Sequence, residues 1–314
     1  LGPYEPMHKV AEDRAPSTIL PVDVALSYYS GGENPAESVD AKLVEAVGAA
    51  MAAGKAKVVV GWVRNTTLSR PRPVWIASAE AAKFMTVPGD SGNLARMIKN
   101  PQLRPVGPIG IVARTTEMMA LNVLIQEAQL DPASVLIFAV MPDGKFLGTM
   151  DMAQVAAFIS EQVKNVPADQ PAGFSPETHK LLDELMARTP AERWQFWAEQ
   201  SAKCIRCYAC RGSCPMCNCE QCFAEKNQPQ WFPTAADGPG NFAWQAFRAF
   251  HLAGRCVGCG ACQDACPAGI PLNVLGAAMA RSALKHFGHR AGVDPKAVPL
   301  QSDFRPDDKE SFIL

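Results

Sequence analysis

The sequence predicts two structured parts: an α/β domain with a mainly parallel sheet and, beyond a helical connector, a small cysteine-rich domain. Three observations support this division. The first half alternates short apolar runs with segments of helical periodicity, which is typical of α/β domains. All 11 cysteines lie between Cys204 and Cys266. The 314 residues are 48% hydrophobic, which is enough for a sizeable core.

The N-terminal part is predicted as an irregular arm over 1–35 and an α/β domain over 36–172. The arm is rich in proline and glycine. In the domain, the periodicities predict helices over 37–53, 91–99, 115–129 and 152–163 and strands over 57–63, 73–78, 107–112 and 134–140. The turn residues Pro142, Asp143 and Gly144 direct the chain toward Phe146 and Leu147.

The C-terminal part is predicted as a helical connector over 173–202, a cysteine domain over 203–285 and an extended tail over 286–314. The connector shows a helical period over 178–187 and 191–201, with Pro190 at a helix start. In the cysteine domain we expect a loop over 227–241 and helices over 243–252 and 272–284.

Composition narrows the function classes. The net charge is −1, whereas nucleic-acid binding normally requires a basic excess. No apolar run approaches the roughly 18 residues of a spanning helix, so we expect no direct membrane span. Closely spaced free cysteines persist in a reducing compartment, which predicts a cytoplasmic protein.

Both cysteine-rich segments follow the spacing C-x2-C-x2-C-x3-C-P. The first contains Cys204, Cys207, Cys210, Cys214 and Pro215, and the second contains Cys256, Cys259, Cys262, Cys266 and Pro267. This spacing is typical of two-cluster bacterial ferredoxins, in which the fourth cysteine ligates the other cluster. We therefore predict a ferredoxin-like domain with two [4Fe-4S] clusters, held by Cys204, Cys207, Cys210 and Cys266 and by Cys256, Cys259, Cys262 and Cys214.

Structural zinc is the alternative for these cysteines. Zinc sites use two separated pairs of ligands, so a third cysteine at the same spacing would have no role in either segment. Each four-thiolate cluster carries a formal charge of about −2 when oxidised and about −3 when reduced. Basic side chains in or near the motifs would offset this charge or simply be solvated: Lys203, Arg206, Arg211, Arg248 and Arg255.

Three cysteines remain after the two clusters are assigned: Cys217, Cys219 and Cys222. Three thiols within six residues indicate a candidate third metal centre, either a further iron–sulfur cluster or zinc. His251 and His179 are candidate fourth ligands, although helix histidines more often have only structural roles.

The cysteine region resembles iron–sulfur subunits of anaerobic redox complexes. The resemblance lies in Arg193–Cys222 and Ala249–Cys262, and it is strong over about 190–285. These subunits are related to the beta subunit of deazaflavin-reducing hydrogenases and formate dehydrogenases. The resemblance implies partner subunits: a catalytic dehydrogenase or hydrogenase, or heterodisulfide-reductase-like flavoprotein subunits.

The first domain resembles this family less closely. After the strand ending near Val112, the family has Arg-Pro-Cys-Asp, where this chain has Arg114, Thr115, Thr116 and Glu117. A strand, an arginine and a helix N-terminus form a candidate phosphate site, such as that of a flavin. The alternative is that Thr115 simply caps the helix.

Two functions follow from these patterns. The first is an electron-transfer subunit that relays single electrons through two [4Fe-4S] clusters between a catalytic subunit and another redox partner. The second is an FAD-containing oxidoreductase subunit that exchanges electrons with a deazaflavin or nicotinamide. We favour the first, because no G-x-G-x-x-G follows the strand at 57–63 and the family cysteine is absent at Thr115–Thr116. No hydrolytic set of residues is recognisable.

Overall fold

A computed structural model describes residues 40–64, 71–89, 92–100, 103, 106–219, 222–225, 229–230, 232–233 and 235–301. The predicted arm over 1–35 and the end of the predicted tail, 302–314, lie outside these residues. No helix in the described part is both long and apolar enough to cross a bilayer.

A six-stranded sheet forms the centre of the N-terminal domain. Its strands are β1 (Val58–Arg64), β2 (Pro71–Ile76), β3 (Met85–Thr86), β4 (Ile109–Ala113), β5 (Val135–Val140) and β6 (Phe146–Met150). The order is β2-β1-β4-β5-β6, and β3 also pairs with β1.

The sheet is mixed, so the prediction of a mainly parallel sheet is confirmed only in part. β4 pairs in parallel with β1 and with β5, but β2, β3 and β6 pair antiparallel with their neighbours. The connections explain the difference. A crossover helix can return a strand in parallel, whereas the short turn before β6 can only reverse the chain. Parallel pairing is therefore confined to the central three strands.

The helices of this domain cover the sheet. They are α1 (Ala41–Ala52), α2 (Ala95–Ile98), α3 (Thr115–Gln126) and α4 (Met152–Gln162). α3 is buried along most of its length, from Glu117 to Leu124. α2 is shorter than the helix predicted over 91–99. It begins only at Ala95, because the Asn93 side chain accepts the N–H of Ala95 at 3.0 Å.

Helices of the C-terminal part are α5 (Pro176–Met186), α6 (Pro190–Ala202), α7 (Ala209–Ser213), α8 (Gly238–His251), α9 (Ala261–Asp264) and α10 (Leu272–Phe287). α8 starts five residues before the predicted 243, because Asp237 caps it by accepting the N–H of Gly240 at 2.8 Å. α10 continues to Phe287 and ends at Gly288, whose φ of 63° is favourable for glycine.

The connector helices contribute to the core of the cysteine domain. Leu182 and Leu185 of α5 pack with Val274 and Ala277 of α10, and Phe174 joins the same cluster. α6 packs against α8. The two predicted segments therefore share one hydrophobic core.

The segment after α10 packs on the α/β domain. Asn122 of α3 donates to the carbonyl of Gly292 at 2.9 Å, and Arg290 donates to the carbonyl of Pro167 at 2.7 Å. Gly292 has a φ of +72°, and a Cβ there would lie 2.3 Å from the carbonyl oxygen of Met119. This close contact holds the chain against α3 and, through it, against the sheet.

Candidate metal centres

The two cysteine motifs fold into loops of the same conformation. In the first, Arg206 and Tyr208 have φ values of 56° and 59°, and in the second Gly258 and Gly260 have 72° and 75°. Each loop leads into a short helix, α7 or α9, whose end is followed by the fourth cysteine of the motif. The sequence repeat is therefore also a structural repeat.

A first cavity brings together cysteines from both repeats. It is lined by Cys204, Cys207, Cys210 and Cys266, with Trp244, Ile270 and Leu272 among its apolar walls. Cys207 is exposed and Cys210 is buried. Two N–H groups point at sulfur: the backbone N of Arg206 lies 3.4 Å from Cys204 Sγ, and Gln245 Nε2 lies 3.7 Å from Cys210 Sγ.

A second cavity brings together the other four motif cysteines: Cys214, Cys256, Cys259 and Cys262. None of the four is exposed. Cys214, Cys256 and Cys259 pack against the main core of the α/β domain. Gly276 of α10 leaves room beside the second quartet, since a Cβ there would lie 2.9 Å from Cys256 Sγ.

The thiol chemistry of the second cavity suits an iron–sulfur cluster. Burial raises the pKa of the Cys256 thiol to about 12 and that of Cys262 to about 11. Thiolates in such a place require positive charge beside them, and bound iron supplies it. Four thiols around one cavity also match the four-cysteine ligand set of a [4Fe-4S] cluster. The residues of both cavities therefore fit this group.

Arg248 of α8 lies close to cysteines of both quartets. It is 8% exposed and lines the second cavity. Burial alone would lower the pKa of its guanidinium, but the thiols of Cys262, Cys210, Cys214 and Cys217 raise it above its ordinary value. Those thiols belong to both quartets and to the intervening segment.

The other four basic residues near the motifs are bound to other groups. The Arg206 guanidinium donates to Asn241 and to the carbonyl of Pro233, and Lys203 donates to Gln200. Arg211 pairs with Glu225 at 2.7 Å. Arg255 pairs with Glu127 just beyond α3, which ties the second repeat to the α/β domain.

The three remaining cysteines have different surroundings. A contact with Cys217 lowers the pKa of the Cys214 thiol, and the same contact raises that of Cys217. Cys219 is exposed, and Cys222 packs beside the Trp244 cluster. Of the candidate fourth ligands, His251 packs on Phe247 and His179 on Phe174. Within the described ranges, no three His, Cys, Asp or Glu side chains are arranged around a single metal ion.

Arg114, Thr115 and Thr116 lie at the start of α3, as the flavin-phosphate prediction requires. The buried Arg114 guanidinium pairs with Glu117 at 2.7 Å and donates to the carbonyls of Pro88 and Gly92. Glu117 also accepts the N–H of Arg114 at 3.0 Å, so a carboxylate already faces this helix N-terminus. The alternative that Thr115 caps the helix is wrong, because Arg114 is the capping residue.

Sequence reasoning missed two residues beside the motif cysteines. Gln245 lies three residues before Arg248 on α8, a spacing that places both on one helix face. That spacing could have identified Gln245, given the buried, amphipathic character of α8. Gly276 gave no such signal, because its role depends on how α10 packs against Cys256.

Comparisons with known proteins agree with this geometry. A family model for a 4Fe-4S binding domain matches residues 247–268, which include the cysteines of the second repeat. The F420-dependent formate dehydrogenase subunit beta of Methanocaldococcus jannaschii is 35% identical over 110 residues, 35% of this chain and 27% of the relative. The F420-dependent formate dehydrogenase 1 subunit beta of Methanococcus maripaludis is 37% identical over 103 residues, 33% of this chain and 26% of the relative.

The matched part is thus about a quarter of the length of these relatives, 27% and 26%. The similarity, the 4Fe-4S domain match and the clustered cysteines together support one conclusion: the chain is an iron–sulfur protein related to the beta subunit of F420-dependent formate dehydrogenase.

Proposed function

We propose that the chain is an electron-transfer subunit that relays single electrons through two [4Fe-4S] clusters. The observation that carries this proposal is the pair of cavities, each lined by four cysteines drawn from both repeats. Bound [4Fe-4S] clusters supply one-electron transfer, and the protein sets their spacing and potential.

In this proposal the ligands cross between the repeats. Cys204, Cys207, Cys210 and Cys266 hold one cluster, and Cys256, Cys259, Cys262 and Cys214 hold the other. The fourth cysteine of each motif lines the cavity of the opposite repeat, which supports the crossed assignment. The short helices α7 and α9 carry the chain from one cavity toward the other.

The two cavities have different positions in the molecule, which suggests an order for the relay. The second quartet packs on the core of the α/β domain. The first quartet reaches the surface at Cys207, next to Ile205, whose side chain is exposed. We propose that the buried second cluster exchanges electrons with the α/β side and with the first cluster. The first cluster then exchanges them with a partner that binds at the surface near Cys207.

The partners that we propose are the other subunits of an anaerobic redox complex. They are a catalytic dehydrogenase or hydrogenase, or heterodisulfide-reductase-like flavoprotein subunits. The similar proteins named above are subunits of formate dehydrogenases, which supports a complex of this kind. A reducing, cytoplasmic location fits the 11 free cysteines.

FAD at the start of α3 is the less favoured proposal. Arg114 is engaged by Glu117 and two carbonyls, so a flavin phosphate would depend mainly on the N–H groups of Thr115 and Thr116. Quantifying flavin in the gently purified chain tests this proposal. One flavin per chain would favour the function as an FAD-containing oxidoreductase subunit. Absence of flavin would favour electron transfer by the clusters only.

A third centre at Cys217, Cys219 and Cys222 also stays a proposal. The contact between Cys217 and Cys214 places this segment beside the second quartet. About twelve iron atoms per chain would support a third cluster, and one zinc with about eight iron atoms would support a zinc site. About eight iron atoms and no zinc would reject both.

The decisive experiment combines iron analysis with low-temperature EPR of the dithionite-reduced, anaerobically purified chain. We expect at least about eight iron atoms and two interacting cubane signals. Cys214→Ser and Cys256→Ser should change the same signal, while Cys266→Ser and Cys204→Ser should change the other. Met186→Ser, at an exposed residue of α5 outside the cysteine segments, is the control and should leave both signals intact.

Two results would overturn the proposal. If Cys214→Ser altered the signal that Cys204→Ser alters, the ligands would not cross. If the wild-type chain held no iron, or only about four atoms, the two-cluster relay would fail.

A further inference from the structure

Arg248 is a buried cation, and among the described residues it forms no ion pair with a carboxylate. Its Nε donates to Gln245 Oε1 at 3.3 Å, and its Nη1 is buried without a nitrogen or oxygen partner among the described residues, close to the thiols of Cys217 and Cys262. A buried charge without a partner is costly, so such an arginine requires negative charge close by. Arg206 lines the first cavity and donates to the neutral oxygens of Asn241 and Pro233, whereas Arg211 pairs with Glu225.

The position of Arg248 relates it to both cysteine quartets. It lines the second cavity together with Cys214, Cys256, Cys259 and Cys262. On its other side Gln245 links it to the first quartet, since Gln245 Nε2 lies 3.7 Å from Cys210 Sγ. Helix α8 holds both side chains on one buried face, which fixes the guanidinium between the two cavities.

Fixed positive charge at this place has a defined electrostatic effect. Reduction adds one negative charge to a four-thiolate cluster, from about −2 to about −3. A cation nearby stabilises the reduced form more than the oxidised form, and the low dielectric of a buried site strengthens the effect. An arginine stays charged at every accessible pH, so this effect does not depend on protonation.

We propose that Arg248 raises the reduction potentials of both clusters, and so acts as the shared electrostatic control of the relay. The inference rests on the proposed two-cluster function. In the step concerned, a one-electron donor is oxidised, one cluster gains that electron, and no bond or proton changes. Gln245 acts as a positioning residue, because it holds the guanidinium through Nε.

The test is an EPR-monitored redox titration of the anaerobically purified full chain with soluble mediators. In Arg248→Gln we expect the equilibrium constant for reduction of each cluster to fall about tenfold, a shift of about 59 mV to lower potential. Arg248→Lys keeps the charge and should shift both potentials by clearly less. Arg72→Gln is the matched control, because it removes the same charge from an exposed side chain of β2 in the α/β domain, and it should leave both potentials unchanged.

Iron analysis separates this inference from the two-cluster proposal. If wild type lacks two clusters, the proposed function fails before any variant is compared. If Arg248→Gln retains its iron and the equilibrium constant for reduction of either cluster stays within about twofold of the wild-type value, the inference is overturned.

Loss of clusters is informative as well. If Arg248→Gln and Arg248→Met both lose iron while Arg248→Lys retains it, the positive charge is required and the inference is supported. If Arg248→Lys loses iron too, the role of Arg248 is packing, and the inference is overturned.

Discussion

The two cysteine repeats share one backbone conformation but fill it with different residues. The positions with positive φ hold Arg206 and Tyr208 in the first repeat and Gly258 and Gly260 in the second. Glycine adopts this conformation at little cost, whereas an arginine or a tyrosine is strained in it. The backbone is therefore common to both loops, and the choice of side chain needs a separate explanation.

The neighbours of each loop provide that explanation. The second loop lies directly under the chain at Gly173 and Phe174, and a Cβ on Gly258 would lie 2.6 Å from the backbone of each. The first loop has exposed side chains at Ile205 and Tyr208, and it leaves room for Tyr208 to pack edge-on against Trp244 at 5.4 Å and for the buried Arg206 to reach Asn241. The repeats differ because one is buried by the connector and the other faces outward.

Gly258→Ala should have the largest effect on this arrangement. The new methyl group would combine a strained φ with a backbone clash, which together cost about 2–5 kcal/mol. At roughly 2–4 °C per kcal/mol, the thermal midpoint should fall by at least about 4 °C. Circular dichroism melts of the anaerobic holoprotein measure this shift.

Gly269→Ala is the matched control for that variant. Gly269 has a φ of +62° but has no neighbouring atom within 4 Å of a Cβ, so it tests strain without the clash. We expect it to cost about 1 kcal/mol. Equal melts for the two variants would mean that packing under Gly173 contributes nothing.

Glu127→Gln should have the next largest effect, because it weakens the ion pair that holds the second repeat to the α/β domain. Glu127 and Arg255 are 14% and 17% exposed in their side chains, and Arg255 Nη2 lies 2.6 Å from Glu127 Oε2. Removing the charge should cost about 1–3 kcal/mol. The exposed pair of Glu161 and Lys164 offers the control, and Glu161→Gln should change the free energy of unfolding by less than about 0.5 kcal/mol. Similar losses in both variants would contradict a special role for Arg255.

Sequence reasoning succeeded where the physics is local. The four thiols predicted for each cluster line one cavity, because two- and three-residue gaps leave the loop few conformations, and their ligation of iron stays a prediction. Helices α3 and α10 begin at the predicted residues, Thr115 and Leu272, since their periodicity and starting signals are short-range.

The sequence could not predict features that depend on distant contacts. Arg248 was only one of five basic residues near the motifs, and its position follows from how α8 packs against both loops. The antiparallel edges of the sheet depend on which strands become neighbours. The engagement of Arg114 by Pro88 and Gly92 likewise needs a loop more than 20 residues away.

Acidification should slightly lower the stability of the folded chain. Burial, followed by the charge of Arg281, lowers the pKa of His179, which packs on Phe174 above Gly258. The unfolded chain therefore takes up this proton first, and stability should fall as the pH drops below about 6.5. In His179→Gln the melting temperature should depend less on pH between 7.5 and 5.5. The same slope in both proteins would assign it to other groups, such as His251, whose pKa burial also lowers.

Tyr208→Gly should have the smallest effect, and it is the mirror image of Gly258→Ala. The glycine relieves an αL strain of about 1–2 kcal/mol at the φ of 59°, but it loses the edge contact with Trp244, worth about 0.5–1.5 kcal/mol. It also makes the unfolded chain more flexible, by about 0.4–1 kcal/mol. These contributions nearly cancel, so we expect the melting temperature to lie within about 2–4 °C of that of wild type. A fall as large as that of Gly258→Ala would mean that the side chains of the first loop hold its backbone in place, rather than tolerate a conformation that the cysteines impose.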